Sequence, residues 1–351
     1  MLVAIVRIFL LGLLYVTGNG CSSTQQEASE PVKTAADFLI KGVSMVAPVN
    51  AIGDVNMKPI TNLNANSISV MPYAFFSLDN FEIRYNQHGQ HWGENIEGVA
   101  GCIQLAHENG LSVMLKPHLW IGRGMYTGAF TLSTEKEWQV WEESYSRYIL
   151  HFARVADSMK TELFCIGTEL GAAIKKRPQY WSSLIDSVKT VYHGKLTYAA
   201  NWDDYKDVPF WEKLDYIGVD AYFPLIKDKT PSLTSLRKNW NGYSDELEEM
   251  SKRNNRPILF TEYGYRNVDR TAAEPWKENE GELNNEAQTN SYEALYQTFV
   301  GKGWFSGGYV WKWYVEEGRR RRPEIDYTPQ NKPAQKIIQR WYGMADSTHL
   351  P

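Results

Sequence analysis

From residue 37 onward, short apolar runs bounded by Gly, Pro, Asn or Asp alternate with longer stretches in which apolar residues return every three or four positions. The first pattern reads as strands buried on both faces, the second as helices with one buried stripe. The runs predict strands at Gly42–Ala47, Ser67–Met71, Ser112–Pro117, Glu162–Ile166, Lys195–Ala200, Tyr216–Val219, Pro257–Thr261 and Gly307–Trp311. Helical spacing predicts Ile96–Asn109, Glu135–Asp157, Tyr180–Tyr192, Ser244–Asn254, Glu286–Gly301 and Ala334–Tyr342. Strands that alternate with helices argue for parallel β/α units. Eight such strands in about 300 residues suit an α/β chain folded as a single (β/α)8 TIM barrel. No repeat and no second-domain linker interrupts it, so residues 37–343 are expected to be one barrel, followed by a tail at 344–351.

In such a barrel the segments after each strand build the functional face. The longest of them, Phe76–Gly93, Trp120–Leu132 and Tyr265–Leu283, all follow strand ends. The mouth is therefore predicted to carry Tyr73, Lys116, His118, Trp120, Glu169, Asn201, Trp202, Asp220, Tyr222, Glu262, Trp311 and Trp313. Carboxylates, amides, cations and aromatics dominate that set, which a mouth built only for stability has no need of. Glu169 and Glu262 each end a buried strand, the fourth and the seventh, which face one another over the barrel. A carboxylate at the border of core and solvent is where burial and neighbours push pKa values apart. Two of them about 5 Å apart suit the acid and nucleophile of a retaining glycosidase. The alternative is a pair of surface ion-pair partners. Lys116 and His118 are candidates for binding sugar hydroxyls, or, respectively, a neutralising cation and a structural histidine. Trp311 is a candidate stacking platform, or plain core together with Trp313.

Composition adds less. The chain has 351 residues and a net charge of −4 with both signs interspersed, which gives no reason to expect nucleic acid. Aromatics make up 13% of it, with 13 Trp and 21 Tyr, a bias that suits sugar rings as well as cores. Cys102 and Cys165 are expected as two buried thiols, since neither a disulfide framework nor zinc spacing is present. His88 and His91 have the spacing of a metal pair but no third ligand in view, so no metal site is assigned. A two-carboxylate mechanism needs no cofactor, and nothing points to an obligate protein partner. Arg319–Arg322 is a charge run that suits an anionic surface or plain solvent.

The N-terminus changes the picture of location. Arg7 precedes the apolar stretch Ile8–Val16, too short to span a bilayer but proportioned like a signal-peptide core. The small or polar Thr17-Gly18-Asn19-Gly20 and then Cys21 follow, which resembles a bacterial lipoprotein signal, although Gly18 stands where such signals usually carry Leu; the alternative is a cleaved signal with an incidental Cys. Residues 1–21 are expected to be that signal and 22–36 a polar tether. The protein is thus expected to be exported and held to a membrane only through a lipid on Cys21.

Several segments together resemble glycoside hydrolase family 113, within a clan of retaining glycosidases built on this barrel. They are Lys41-Gly42-Val43-Ser44, Lys116-Pro117-His118, Cys165-Ile166-Gly167-Thr168-Glu169-Leu170, Thr261-Glu262-Tyr263-Gly264-Tyr265 and Asp326–Ala334, and the resemblance spans roughly residues 38–343. It implies that Glu169 is the acid/base and Glu262 the nucleophile. It places Tyr222 where the clan donates a hydrogen bond to the nucleophile. Asn201 and Trp311, at their strand ends, are expected among the substrate-binding residues. The clan usually has Asn just before the acid/base, at the sugar 2-hydroxyl, and here that position is Thr168. A threonine hydroxyl reaches less far than an amide. The characterised members of the family are mainly β-mannanases, which implies an endo-acting enzyme on β-1,4-linked mannan or glucomannan. The same machinery also fits a glucosidic or N-acetylated glycan, and a barrel that captures glycan without cutting it is a third reading. Both carboxylates would be superfluous in the last.

Overall fold

Residues 39–122, 125–277, 281–316, 318, 320 and 322–344 are described by the computed structural model of the chain. The expected signal peptide, Cys21, the tether and residues 345–351 of the expected tail lie outside these described residues. The first half runs β1 (Ile40–Met45), α1 (Asp54–Thr61), β2 (Ser67–Val70), β3 (Tyr73–Phe76), β4 (Ile83–Arg84), α2 (Ile96–Glu108), β5 (Ser112–Leu115), β6 (His118–Ile121) and α3 (Glu135–Ser158). The second half runs β7 (Leu163–Thr168), α4 (Gly171–Lys176), α5 (Pro178–Lys189), β8 (Lys195–Asn201), β9 (Ile217–Asp220), α6 (Leu233–Asn254), β10 (Ile258–Tyr263), α7 (Asn285–Phe299), β11 (Phe305–Trp313) and α8 (Pro333–Tyr342). Strands β1, β2, β5, β7, β8, β9, β10 and β11 close in that order, all neighbours parallel, into the eight-stranded barrel that the apolar runs predict.

Three differences have plain causes. Helix α1 contains Pro59, which breaks the helical pattern on paper. Helix α6 begins eleven residues before the predicted Ser244, because its first half, Leu233–Tyr243, is largely polar and buries only Leu236 and Trp240. Strands β3, β4 and β6 form a separate three-stranded sheet on the insertions after β2 and β5; β3 and β6 follow those barrel strands so closely that no turn sets them apart as runs of their own.

Because side chains alternate along a strand, the odd-numbered residues of most barrel strands point to its axis. Met114, Leu163, Cys165, Ala199, Tyr216, Leu259 and Tyr309 meet there as a core of their own, apart from the larger core between barrel and helices. The Tyr309 ring lies across Gly42, where an added Cβ would fall 2.3 Å from its Cδ1, and its hydroxyl sits 3.0 Å from Ser67 Oγ. The barrel is thus a packed plug. Cys102 in α2 and Cys165 in β7 are both buried free thiols. No helix among the described residues is long and apolar enough to cross a membrane.

Candidate active site

The same alternation that fills the barrel also builds what lies above the plug. Met114 points inward, and two residues on so does Lys116; Ala199 is followed by Asn201, Tyr216 and Gly218 by Asp220, and Tyr309 by Trp311. Glu262 breaks the rule, since Leu259 is inward and strict alternation would give the place to Thr261. The pairing of β10 slips against β9 between Phe260 and Glu262, and against β11 between Phe260 and Tyr263. This irregularity, of the kind that re-aims side chains beside functional sites, lets Thr261 and Glu262 both reach the same cluster. Glu169 stands just past β7, with its backbone at φ 50° and its N–H donating to Ala199 O at 2.8 Å. A non-glycine residue in that region is uncommon and marks a position held by its surroundings.

The cluster is a buried ionic network. Lys116 Nζ donates to Glu262 Oε1 at 2.5 Å and to Asp220 Oδ1 at 3.2 Å, with Lys116 and Asp220 wholly buried. Thr261 Oγ1 donates to Asp220 Oδ1 at 2.7 Å. Tyr222 OH donates to Glu262 Oε2 at 2.8 Å, so both oxygens of that carboxylate are held. Burial pulls the Lys116 ammonium down, but Asp220 and then Glu262 outweigh it and raise it above its ordinary value. Burial, and then the charge of Glu262, push the Asp220 carboxyl up to about 7. Burial and the adjacent Glu262 raise the Tyr222 phenol well above its usual range, so it stays a donor. Glu169 is held well above the carboxylate range, first by burial and then by Asp220 and Glu262. One acid is thus disposed to keep its proton, while the other accepts bonds from an ammonium and a phenol. That is the division of labour a pair of catalytic carboxylates needs.

Glu169, Asn201, Tyr222, Glu262 and Trp311 all line one pocket of 510 Å³. Lys116 does not; it lies beneath the floor, and its ammonium is taken up by the two carboxylates rather than offered to a sugar. His118 also stands behind the wall, 3.8 Å from Glu262 Oε1 and stacked 6.3 Å from the Trp311 ring. Burial, then Lys116, depress its pKa well below the usual value, so the imidazole is neutral. Thr168 is buried and its hydroxyl has no partner among the described residues. Trp313 is core, 1% exposed. Among the described residues no group of three or more His, Cys, Asp or Glu is arranged to hold a metal.

The model of Glycoside Hydrolase Family 113 matches residues 51–332. The chain belongs to this family. It is a glycoside hydrolase, and its fold matches solved members closely. One is a family 113 β-mannanase from Alicyclobacillus acidocaldarius, with TM-score 0.75 and 25% identity over 87% of this chain and 97% of that one. Another is a family 113 β-1,4-mannanase, with TM-score 0.74 and 24% identity over 87% and 99%. A β-glucuronidase from Faecalibacterium prausnitzii, at TM-score 0.60 and 16% identity over 88% and 49%, shares the fold alone. No curated protein sequence matches the chain.

The pocket of this glycoside hydrolase has further walls that strand reasoning missed. Tyr126, Asp203, Trp276 and Tyr327 also line it. Tyr126 OH accepts from Asn201 Nδ2 at 2.8 Å, and Asn201 also donates to Asp203 Oδ1 at 2.9 Å. Trp276 stacks on Trp202 with centroids 5.0 Å apart. Tyr327 lies 6.3 Å from the Tyr222 ring, inside the closing Asp326–Ala334 segment. Tyr126 and Trp276 come from the insertions after β6 and β10, whose sequences carry no periodicity; only their aromatic residues offered a signal.

Proposed function

We propose that this family 113 hydrolase is a retaining endo-β-1,4-mannanase in which Glu262 is the nucleophile and Glu169 the acid/base. The observation that carries the assignment is the asymmetry of the two carboxylates. Glu262 is clamped by Lys116 and Tyr222, while Glu169 is crowded by negative charge and disposed to hold a proton. In the first step Glu262 attacks the anomeric carbon, and its new bond replaces the one to the leaving oxygen, which takes the proton of Glu169. In the second, the Glu169 carboxylate removes a proton from water, whose oxygen displaces Glu262 and restores the enzyme. Lys116 and Tyr222 act as positioning residues: they keep Glu262 in one rotamer without competing for the sugar. Trp311 offers a stacking face and Asn201 an amide at the pocket wall. No step needs a metal or cofactor.

Mannan as substrate is supported by the solved β-mannanases that share the barrel over most of both chains. A different β-glycan is favoured only by Thr168, which stands where the clan's usual amide meets the hydroxyl that distinguishes mannose from glucose. The test is product chromatography after incubation with mannohexaose, cellohexaose and chitohexaose, beside a Glu262→Ala control. Shorter manno-oligosaccharides of mixed length from the wild type alone are expected. Cleavage of another hexamer instead would overturn the mannan assignment, and equal products from the control would remove Glu262 from the nucleophile role.

The apolar stretch Ile8–Val16 followed by Cys21 further supports an exported enzyme tethered by a lipid on that cysteine. Expressed in a bacterium with lipoprotein processing, the wild type is expected in the membrane fraction and Cys21→Ser in the soluble exported fraction. The same fractionation for both would sink the lipid anchor.

A further inference from the structure

The small sheet above the barrel presents a second feature. Its register pairs Tyr73 with His118 and Phe75 with Trp120 across β3 and β6, and Phe75 with Arg84 across β3 and β4. Alternation sends Ala74, Phe76, Leu119 and Ile121 to the other face, where all are buried. The first set therefore shares a face of its own. At its inner end this face is part of the catalytic surroundings, since His118 lies 3.8 Å from Glu262 and stacks on Trp311. Tyr73 packs on His118 with ring centroids 5.0 Å apart. Because β6 follows β5 past the barrel rim, each step along it leads away from the carboxylates. Two residues beyond His118, about 6.6 Å at the usual strand rise, comes Trp120.

Trp120 is 53% exposed, the most exposed tryptophan among the described residues. Its ring is braced by the edge of Phe75, with centroids 5.9 Å apart at 70°, and Arg84 is exposed beside Phe75 on the same face. A flat apolar ring held open, in line with a site that cleaves sugar polymers, suits the apolar face of a hexose ring, and an arginine beside it suits hydroxyls. We propose that Trp120, backed by Phe75, forms a distal subsite of the catalytic cleft that stacks on a β-linked hexose unit beyond the sugar held against Trp311. This rests on the glycosidase assignment above, and it adds a reason for the enzyme to prefer long chains.

The test compares full-length wild type, Trp120→Ala and Trp120→Phe, purified in detergent, on whichever hexamer the wild type cleaves and on the matching trimer. The expected result for Trp120→Ala is a rise in KM of about tenfold on the hexamer, the loss of one stacking contact. The kcat on the hexamer and kcat/KM on the trimer should stay within about twofold of wild type. Trp120→Phe should recover most of the loss, because it keeps a ring. Unchanged hexamer kinetics in Trp120→Ala, or equal losses on hexamer and trimer, would overturn the subsite and leave the glycosidase assignment standing. A folded wild type inert on all three hexamers would overturn both.

Discussion

Glu169 and Glu262 have the same side chain, and their difference is made by what surrounds them. In the proposed mechanism Glu169 has to be protonated for the first step, and its carboxyl is raised well above the carboxylate range by burial, Asp220 and Glu262. A raised acid keeps its proton as pH climbs past about 4.3, the ordinary value, and activity falls only once pH passes through the raised one. The alkaline limb of kcat/KM is therefore expected well above the usual carboxylate range. In Glu169→Ala, aryl glycosides with good leaving groups should lose that limb and retain far more activity than oligosaccharides do. A limb that persists in the variant would assign it to another group. Lys116 offers a second prediction at this scale. Lys116→Met removes the cation bonded to both Asp220 and Glu262 and leaves two buried carboxylates without it. Removing one partner of such a buried cluster costs about 3–5 kcal/mol of stability. Urea unfolding should show a loss of that order, and the variant's kcat/KM should fall, because Glu262 loses the ammonium that holds its Oε1. Full stability and an unchanged kcat/KM would mean the ammonium does nothing for either carboxylate.

Strands and helices decide which of these residues meet, and here the sequence was most legible. All eight barrel strands lie within a few residues of the apolar runs that predict them, because a strand buried on both faces has no polar position to blur it. Alternation then accounts for Lys116, Asn201, Asp220 and Trp311. It does not account for Glu262, which depends on the slip in β10, nor for Glu169, which depends on a positive φ. Neither irregularity is a matter of apolar and polar period, so the pattern that predicts the strands does not encode them. The same holds for Tyr126 and Trp276, whose loops have no period to read. A prediction belongs to β1. Gly42→Ala would press a methyl group into the Tyr309 ring, which is pinned through Ser67 and has no space to retreat. Overpacking of this sort costs about 1–3 kcal/mol. Thermal melting should show the loss while the active-site pKa values stay put, and an unchanged melting temperature would mean the plug is softer than its packing indicates.

At the scale of the molecule, charge and chemistry are sorted by depth. The plug of Met114, Leu163, Tyr216, Leu259 and Tyr309 is apolar or nearly so, the layer above it is ionic, and the open mouth is aromatic. The apolar layer supplies burial that the charged layer cannot, and it closes the charged layer from below. A sealed barrel also has a direction. All eight strands run toward the pocket, so the chain joins β1 at Ile40 from the opposite, blind end. No polymer can thread through; it has to lie across the rim, and products leave by the side from which the substrate came. The blind end is where this enzyme can be handled. A bead or a surface coupled at Leu39 itself would hold the barrel by its closed end and leave the face that carries Glu169 and Glu262 open to a glycan.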